Sequence, residues 1–150
     1  GSIDPQAVEI MKGMGAWLKL NGEAIYATRK WKIPAEGPSK MLKYNKRKKV
    51  LRWSFREIGV KDIRFTRNKA NTKLYAIVLG NPESHDYQIK CLAKGEKIAT
   101  GKISKISLVA TDEEVKWGQT ADGLTIKFPE NGVSEIANAF RIEVEGRLLY

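Results

Sequence analysis

The chain has 150 residues, of which 42% are hydrophobic, and its formal net charge at pH 7 is +10. This length and apolar content are enough for one domain with a buried core of its own. One cysteine, Cys91, excludes a disulfide framework. No stretch approaches the roughly twenty apolar residues that cross a bilayer, so we expect no membrane span. We interpret Gly1 and Ser2 as the remnant of a tag.

The first predicted element is an amphipathic helix over about residues 5–20. Asp4 followed by Pro5 is a start signal, because the carboxylate can accept orphan backbone N–H groups and proline lacks the donor that the first turn would waste. Gly22 is expected to end the helix in the left-handed conformation that glycine adopts at little cost. The apolar positions recur at spacings of three and four and form one face that needs a partner surface: Ala7, Ile10, Met11, Met14, Trp17 and Leu18.

After the helix the hydrophobic period changes to two, which is typical of strands. Turn residues separate the apolar segments, for example Asp122-Gly123 before residues 124–128. Residues 74–79 are nearly all apolar and are predicted to form a central strand. The candidate strands are 24–28, 50–55, 62–66, 73–79, 87–92, 105–110, 115–117, 124–128 and 139–145. The predicted fold is therefore mainly β: an antiparallel two-sheet β-sandwich preceded by one N-terminal amphipathic helix.

The end of the helix carries a motif that resembles a known family. Trp17-Leu18 followed by Asn21-Gly22-Glu23-Ala24-Ile25-Tyr26 is similar to the junction in alpha-L-fucosidases, retaining glycoside hydrolases in which the last barrel helix gives way to a C-terminal β-sandwich. Two later segments resemble further markers of the family in the same order: Arg64-Phe65-Thr66 with Leu74-Tyr75-Ala76-Ile77, and Trp117 with Asp122-Gly123-Leu124-Thr125-Ile126. The family often continues after the tyrosine with Gly-Thr-Arg-Pro-Trp, whereas this chain reads Ala27-Thr28-Arg29-Lys30-Trp31.

The resemblance implies a domain without its catalytic barrel. Residues 1–22 would be the tag remnant and the last barrel helix, and residues 23–150 the C-terminal sandwich. The family's aspartate nucleophile and acid/base lie on the barrel, so no residue here inherits a catalytic role. We expect a non-catalytic domain that packs on and stabilises the catalytic barrel of the same parent chain. By resemblance, the parent would release alpha-L-fucose and would be secreted, periplasmic or lysosomal.

A search of the residues themselves also predicts no catalytic, cofactor or metal site. Retaining glycoside hydrolysis needs two carboxyl groups about 5 Å apart across a cleft. The densest acidic group, Asp112-Glu113-Glu114, is interpreted as a solvated turn. His85, the single histidine, lies in a predicted loop, and one histidine with one cysteine does not supply the usual ligands of a zinc site or complete a usual nucleophilic triad.

Three aromatic residues are the candidate contact residues. Trp17 and Trp31 are assigned to a barrel–sandwich interface, and Trp31 and Tyr44 to glycan contact. Trp31 is chosen because strand alternation explains it least. A carbohydrate-binding module that stacks aromatic rings on sugar faces is therefore the first alternative function.

Charge suggests a second alternative, a nucleic-acid-binding domain. A cluster of lysine and arginine without acids is interleaved with Tyr44, Trp53 and Phe55, a combination found in single-strand binders. The same pattern fits a hairpin whose basic tip lies in water, so nucleic acid is the less favoured partner. The basic segment 46–49 is also a candidate for docking on anionic glycans. The cluster comprises Lys40, Lys43, Lys46, Arg47, Lys48, Lys49, Arg52 and Arg56.

Overall fold

The computed structural model describes residues 3–40, 42–45, 50–53 and 58–149, with side chains throughout except at 40, 42–45 and 50–53. The chain begins with helix α1, Pro5–Asn21. Its start follows the predicted chemistry, because an Asp4 carboxylate oxygen accepts the Gln6 backbone N–H at 2.9 Å and Pro5 occupies the first turn. The predicted boundaries are confirmed to within one residue.

The predicted left-handed end at Gly22 is wrong. Gly22 has a φ of −58°, and the chain continues from α1 into a single 3-10 turn, Gly22–Ala24. The left-handed residue comes later, at Ala27, with a φ of 57°. Glycine is needed at position 22 for a different reason: a Cβ there would lie 2.7 Å from a ring carbon of Tyr26.

The predicted strand at 24–28 is also wrong, because the backbone turns back on itself there. The Ile25 and Tyr26 N–H groups donate to the Gly22 carbonyl at 3.0 and 2.7 Å. The first strand is instead β1, Arg29–Glu36. Its run of basic residues and Pro34 hid it from sequence analysis. Proline is tolerated because β1 is an edge strand, and the pairing with its neighbour shifts register between Lys30 and Ala35.

The remaining strands complete two antiparallel sheets and a separate hairpin, which confirms the predicted class. The larger sheet has the order β1-β4-β5-β10-β7, the smaller sheet has the order β6-β9-β8, and β2 pairs with β3. Their bounds are β2 Leu42–Asn45, β3 Val50–Trp53, β4 Ile63–Arg67, β5 Lys73–Val78, β6 Asp86–Ile89, β7 Ile103–Leu108, β8 Trp117–Thr120, β9 Gly123–Lys127 and β10 Asn138–Val144.

The larger sheet is buried on both faces. Alternate residues of β5 point to opposite sides, so Leu74, Ala76 and Val78 join the core between the two sheets. Tyr75 and Ile77 belong to a second, smaller core on the other face, against which Trp17 of α1 packs. Since β5 lies between β4 and β10, the prediction of a central strand over 74–79 is confirmed.

A buried carboxylate closes the base of the β2–β3 hairpin. Asp62 is 0% exposed, and its oxygens accept the Ser39 N–H at 2.9 Å, the Ser39 hydroxyl at 2.5 Å and the Gly59 N–H at 3.0 Å. Arg64 lies 3.9 Å away. Ser39 precedes the hairpin and Gly59 follows it, so one side chain holds the two chain segments together.

Candidate docking surface on the N-terminal helix

The apolar stripe of α1 is exposed rather than buried. Ile10, Met11, Met14 and Leu20 are 58%, 53%, 59% and 59% exposed. A helix of a globular domain normally turns such a stripe towards the core. Here these four side chains remain more than half exposed in the part of the chain that the structure describes. We call these four residues the apolar face of α1.

The last two turns of the same stripe attach α1 to the larger sheet. Trp17 is half-buried against the second core, and its indole N–H donates to the Ala137 carbonyl at 2.8 Å. One turn later the buried Asn21 donates from its side chain to the Trp17 carbonyl at 3.2 Å. Trp17 thus uses its polar atom inside the domain, and its predicted role at an interface with a barrel stays a prediction.

Glu23 ties the segment after the helix to the sheet by three contacts. Its carboxylate accepts the Tyr75 hydroxyl at 2.8 Å and an Arg141 guanidinium N–H at 2.8 Å, and it lies 3.6 Å from the Lys73 ammonium. One residue on, the Ala24 carbonyl accepts the Thr66 hydroxyl at 2.6 Å. Helix and sheet are therefore joined at a fixed angle by charge-assisted bonds.

The same network shifts the pKa of two of its members, Arg141 and Tyr75. Burial lowers the pKa of Arg141, but the carboxylates of Asp112, 2.6 Å away, and Glu23 outweigh it, so the pKa is raised overall. Burial raises the pKa of the Tyr75 hydroxyl, and its hydrogen bond to Glu23 raises it further. Tyr75 therefore remains a proton donor, and Arg141 a cation, throughout the neutral range.

A groove of about 420 Å³ runs between α1 and the segment before β10. Gly13 opens this groove, because a Cβ built there meets nothing within 4 Å. On the other wall, Ile136 is 64% exposed. The groove and the apolar face share Leu20. The principal lining residues are Gly13, Ala16, Trp17, Leu20, Val133 and Ile136.

Trp31 lies in the main core instead of on the surface. It is 1% exposed, its ring meets Phe65 edge to face at 5.5 Å, and its indole N–H donates to the Leu149 carbonyl at 3.0 Å. A ring enclosed in this way has no face left for a barrel or for a sugar. This burial corrects the interpretation of Trp31 as an interface or glycan contact residue. Because β1 begins at Arg29, strand alternation accounts for Trp31 after all.

The structure gives less information on the other residues that were predicted to contact a ligand or partner. The side chain of Tyr44 and most of the basic cluster, including residues 46–49, lie outside the described residues. His85 is exposed. Over the described ranges, no group of three His, Cys, Asp or Glu residues is arranged to hold a metal ion, and no helix is long and apolar enough to cross a membrane.

A second cleft, of about 400 Å³, lies beside β1 and β6, and two of the polar side chains that line it form hydrogen bonds within the domain. The Glu36 carboxylate accepts the backbone N–H groups of Lys90 at 2.9 Å and Cys91 at 2.8 Å. The Tyr87 hydroxyl donates to the Val60 carbonyl at 2.6 Å. Glu36 is the one acid that lines this cleft, so the cleft lacks the pair of carboxyl groups that glycoside hydrolysis needs.

The residues that build the docking surface could not be predicted from the sequence, for two reasons. Glu23 and Arg141 are 118 residues apart, and nothing local pairs them. Gly13 and Ile136 line one groove only because the segment before β10 folds back beside α1. The available signal was the mismatch between a fully amphipathic helix and the absence of a second helix to cover it.

The fold defines an antiparallel β-sandwich domain that carries one helix on the outer face of its larger sheet. Residues 56–143 match the family model described as "Alpha-L-fucosidase C-terminal domain", and the chain belongs to this family. The chain is 26% identical over 141 residues to tissue alpha-L-fucosidase of Homo sapiens and to that of Macaca fascicularis, covering 93% of this chain and 24% of each relative. It thus spans about a quarter of the length of these curated relatives.

Solved structures agree on the fold. Thermotoga maritima alpha-fucosidase superposes with a TM-score of 0.63 at 21% identity, over 95% of this chain and 27% of that one. Alpha-L-fucosidase isoenzyme 1 from Paenibacillus thiaminolyticus gives a TM-score of 0.57 at 17% identity, over 97% of this chain and 28% of that one. The resemblance recognised from the sequence is confirmed.

Proposed function

We propose that this chain is the non-catalytic C-terminal domain of an alpha-L-fucosidase, and that it packs on and stabilises the catalytic barrel of the same parent chain. In this proposal residues 1–22 hold the tag remnant and the last barrel helix, and residues 23–150 are the sandwich. Family membership and the coverage of a quarter of the relatives' length support it. The observation that carries it is the exposed apolar face of α1.

The size of that face makes docking favourable. Full burial of a Leu, Ile or Met side chain contributes about 1.5–3 kcal/mol. Since each of the four residues is a little more than half exposed, covering them would contribute roughly 3–6 kcal/mol before the costs of association. This is comparable with the whole stability of many domains, so the barrel would gain substantially from the contact.

The contacts that fix α1 to the sheet favour a structural role for this domain over a role as a flexible tether. The bond from Trp17 to Ala137 and the ion pair of Glu23 with Arg141 fix α1 against the larger sheet. A partner docked on the apolar face would therefore be held in one orientation relative to the sandwich. Such preorganisation reduces the entropy lost when two surfaces associate.

The test is a double substitution in the full-length parent. Met11→Asp with Met14→Asp places two charges on the apolar face and should lower the thermal stability of fucosidase activity by several degrees. Lys12→Glu is the matched control, because Lys12 lies on the polar side of the same helix and its side chain is 71% exposed. Equal inactivation temperatures for the double variant and the control would refute the proposal.

A further inference from the structure

One edge of the larger sheet collects basic side chains from four separate stretches of chain. β1 begins the edge, and its Arg29 lies opposite Arg67 of β4. The C-terminal segment joins it, because the Leu149 N–H donates to the Ile98 carbonyl at 2.7 Å. We call the basic residues of these stretches the basic edge: Arg29, Lys30, Lys32, Arg67, Lys69, Lys97 and Arg147.

No acid interrupts this surface within its own stretches. Residues 28–34, 66–72, 97–100 and 146–149 contain no aspartate or glutamate. All members of the basic edge except Arg67, which is half-buried, are exposed. Arg29 lies opposite Arg67 on the neighbouring strand, which brings two cations together at this edge.

Four acids of the domain pair with cations outside this edge, while the exposed Glu96 and Glu145 flank two of its stretches. Glu23 and Asp112 pair with Arg141, Asp86 pairs with Lys127, and Glu114 pairs with Lys105. Within the described part of the chain, none of the ion pairs includes Arg29, Lys30, Lys32, Lys69, Lys97 or Arg147. No described carboxylate therefore lies within ion-pair distance of these six cations.

Hydrogen bonds to backbone carbonyls hold two side chains of the basic edge in place. The Lys32 ammonium donates to the Lys97 carbonyl at 2.6 Å and lies 5.9 Å from the centroid of the buried Trp31 ring. The Arg67 guanidinium donates to the Lys30 carbonyl at 3.1 Å. Lys30 and Lys32 are two residues apart on one strand and leave it on the same side, with a spacing of about 7 Å.

We propose that the basic edge binds an anionic polysaccharide, a glycan chain that carries sulfate or carboxylate groups. Arginine forks and lysine ammonium groups are the side chains that bind such oxyanions. A nucleic acid fits less well, because single-strand binders stack successive bases on several aromatic rings, whereas Tyr26, three residues before Arg29, is the one exposed aromatic residue in the described part of the chain. None of its residues lines the groove beside α1, so the inference does not depend on docking to a barrel.

The experiment measures binding of the isolated chain to heparin, a sulfated polysaccharide, in 0.15 M salt. One variant replaces Lys30, Lys32, Lys69 and Lys97 with glutamine. The control replaces Lys12, Lys19, Lys61 and Lys116 with glutamine, which lowers the net charge by the same amount elsewhere on the surface. Thermal unfolding checks that both variants fold, and Arg29→Gln with Arg147→Gln is a second, milder variant of the edge.

We expect the edge variant to bind heparin at least about tenfold more weakly than the wild type, and the control within about twofold, because local charge dominates at a Debye length near 8 Å. De-N-sulfated heparin should bind the wild type more weakly. Three results would overturn the proposal: no binding of the wild type to heparin, equal weakening by both variants, or equally tight binding of a single-stranded DNA that is lost with the same variant.

Discussion

Glu23, just after the helix, and Arg141, in the last strand, form an ion pair with an N–O distance of 2.8 Å. Arg141 is largely buried, with its side chain 12% exposed, and also pairs with Asp112. This contact joins the two ends of the domain in one network. It explains why an acid stands at position 23 of the junction motif.

Glu23→Gln should therefore destabilise the domain. The substitution removes a charge from a partly buried guanidinium, and we expect the free energy of unfolding at pH 7 to fall by about 1 kcal/mol, since Glu23 itself is more than a third exposed. Urea unfolding measures it. Glu9→Gln is the control, because its pair with Lys12 is fully on the surface. Similar losses for the two variants would contradict the account.

Asp62 should make the free energy of unfolding decrease as the pH falls through the acid range. Burial raises its pKa, but the bonds from Ser39 and Gly59 and the charge of Arg64 outweigh burial and lower the pKa below 3.8. A lowered folded pKa contributes stability that is present above the unfolded pKa and is lost as the pH falls through the folded value. We expect this contribution to fade below about pH 4.

Asp62→Asn tests that dependence. The amide has one oxygen where the carboxylate has two, so at least one buried donor loses its partner, and we expect a loss of roughly 2–4 kcal/mol at pH 7. Between pH 4 and pH 2 the variant should lose less stability than the wild type. Parallel stability curves over that range would show that Asp62 is not the responsible group.

Trp31→Ala should behave as a core substitution. Removing a fully buried tryptophan leaves a cavity, and we expect a loss of about 3–5 kcal/mol. Thermal unfolding followed by circular dichroism measures it. If Trp31 were a surface contact residue, the loss would be below about 0.5 kcal/mol.

Gly13→Leu tests whether the parent chain fills the groove, and Gly15→Leu controls for the effect of leucine on helix stability. A leucine at position 13 would occupy the opening of the groove, whereas Gly15→Leu offers the same gain in helix propensity at a position that does not line it. We expect both variants to stabilise the isolated chain alike, by up to about 1 kcal/mol. In the full-length parent only Gly13→Leu should weaken attachment of the domain, measured as faster limited proteolysis at the junction. Equal proteolysis of both variants would mean that the groove is not filled by the parent chain.

The sequence predicts those elements that are determined by interactions between residues close together in the chain. Such local chemistry identified two elements here. Asp4 and Pro5 mark the start of α1, and the continuous apolar run marks the central strand β5. It failed where tertiary contacts decide the backbone. Gly22 was predicted to adopt a left-handed conformation, whereas its role is to admit the ring of Tyr26. Likewise, β1 was missed because Pro34 and the basic residues that its edge position leaves in water mask the alternation of Trp31, Ile33 and Ala35.

The candidate surface could be predicted only in part. The spacing of Ile10 and Met14 on one helix face indicates an apolar surface that needs a partner, and this part follows from the sequence. The orientation of that face depends on where Trp17 finds a hydrogen-bond acceptor, and the acceptor, Ala137, is 120 residues away. Sequence spacing does not encode a contact of that range.

Covering of the apolar face by the parent chain is tested most directly through Met11 and Met14. An exposed methionine is converted to the sulfoxide by hydrogen peroxide, and burial slows the reaction. Mass spectrometry of the two methionines should show oxidation at least about tenfold slower in the full-length parent than in the isolated chain, where both are more than half exposed. Equal oxidation rates in the two proteins would mean that the face stays in water and that the domain does not dock through α1.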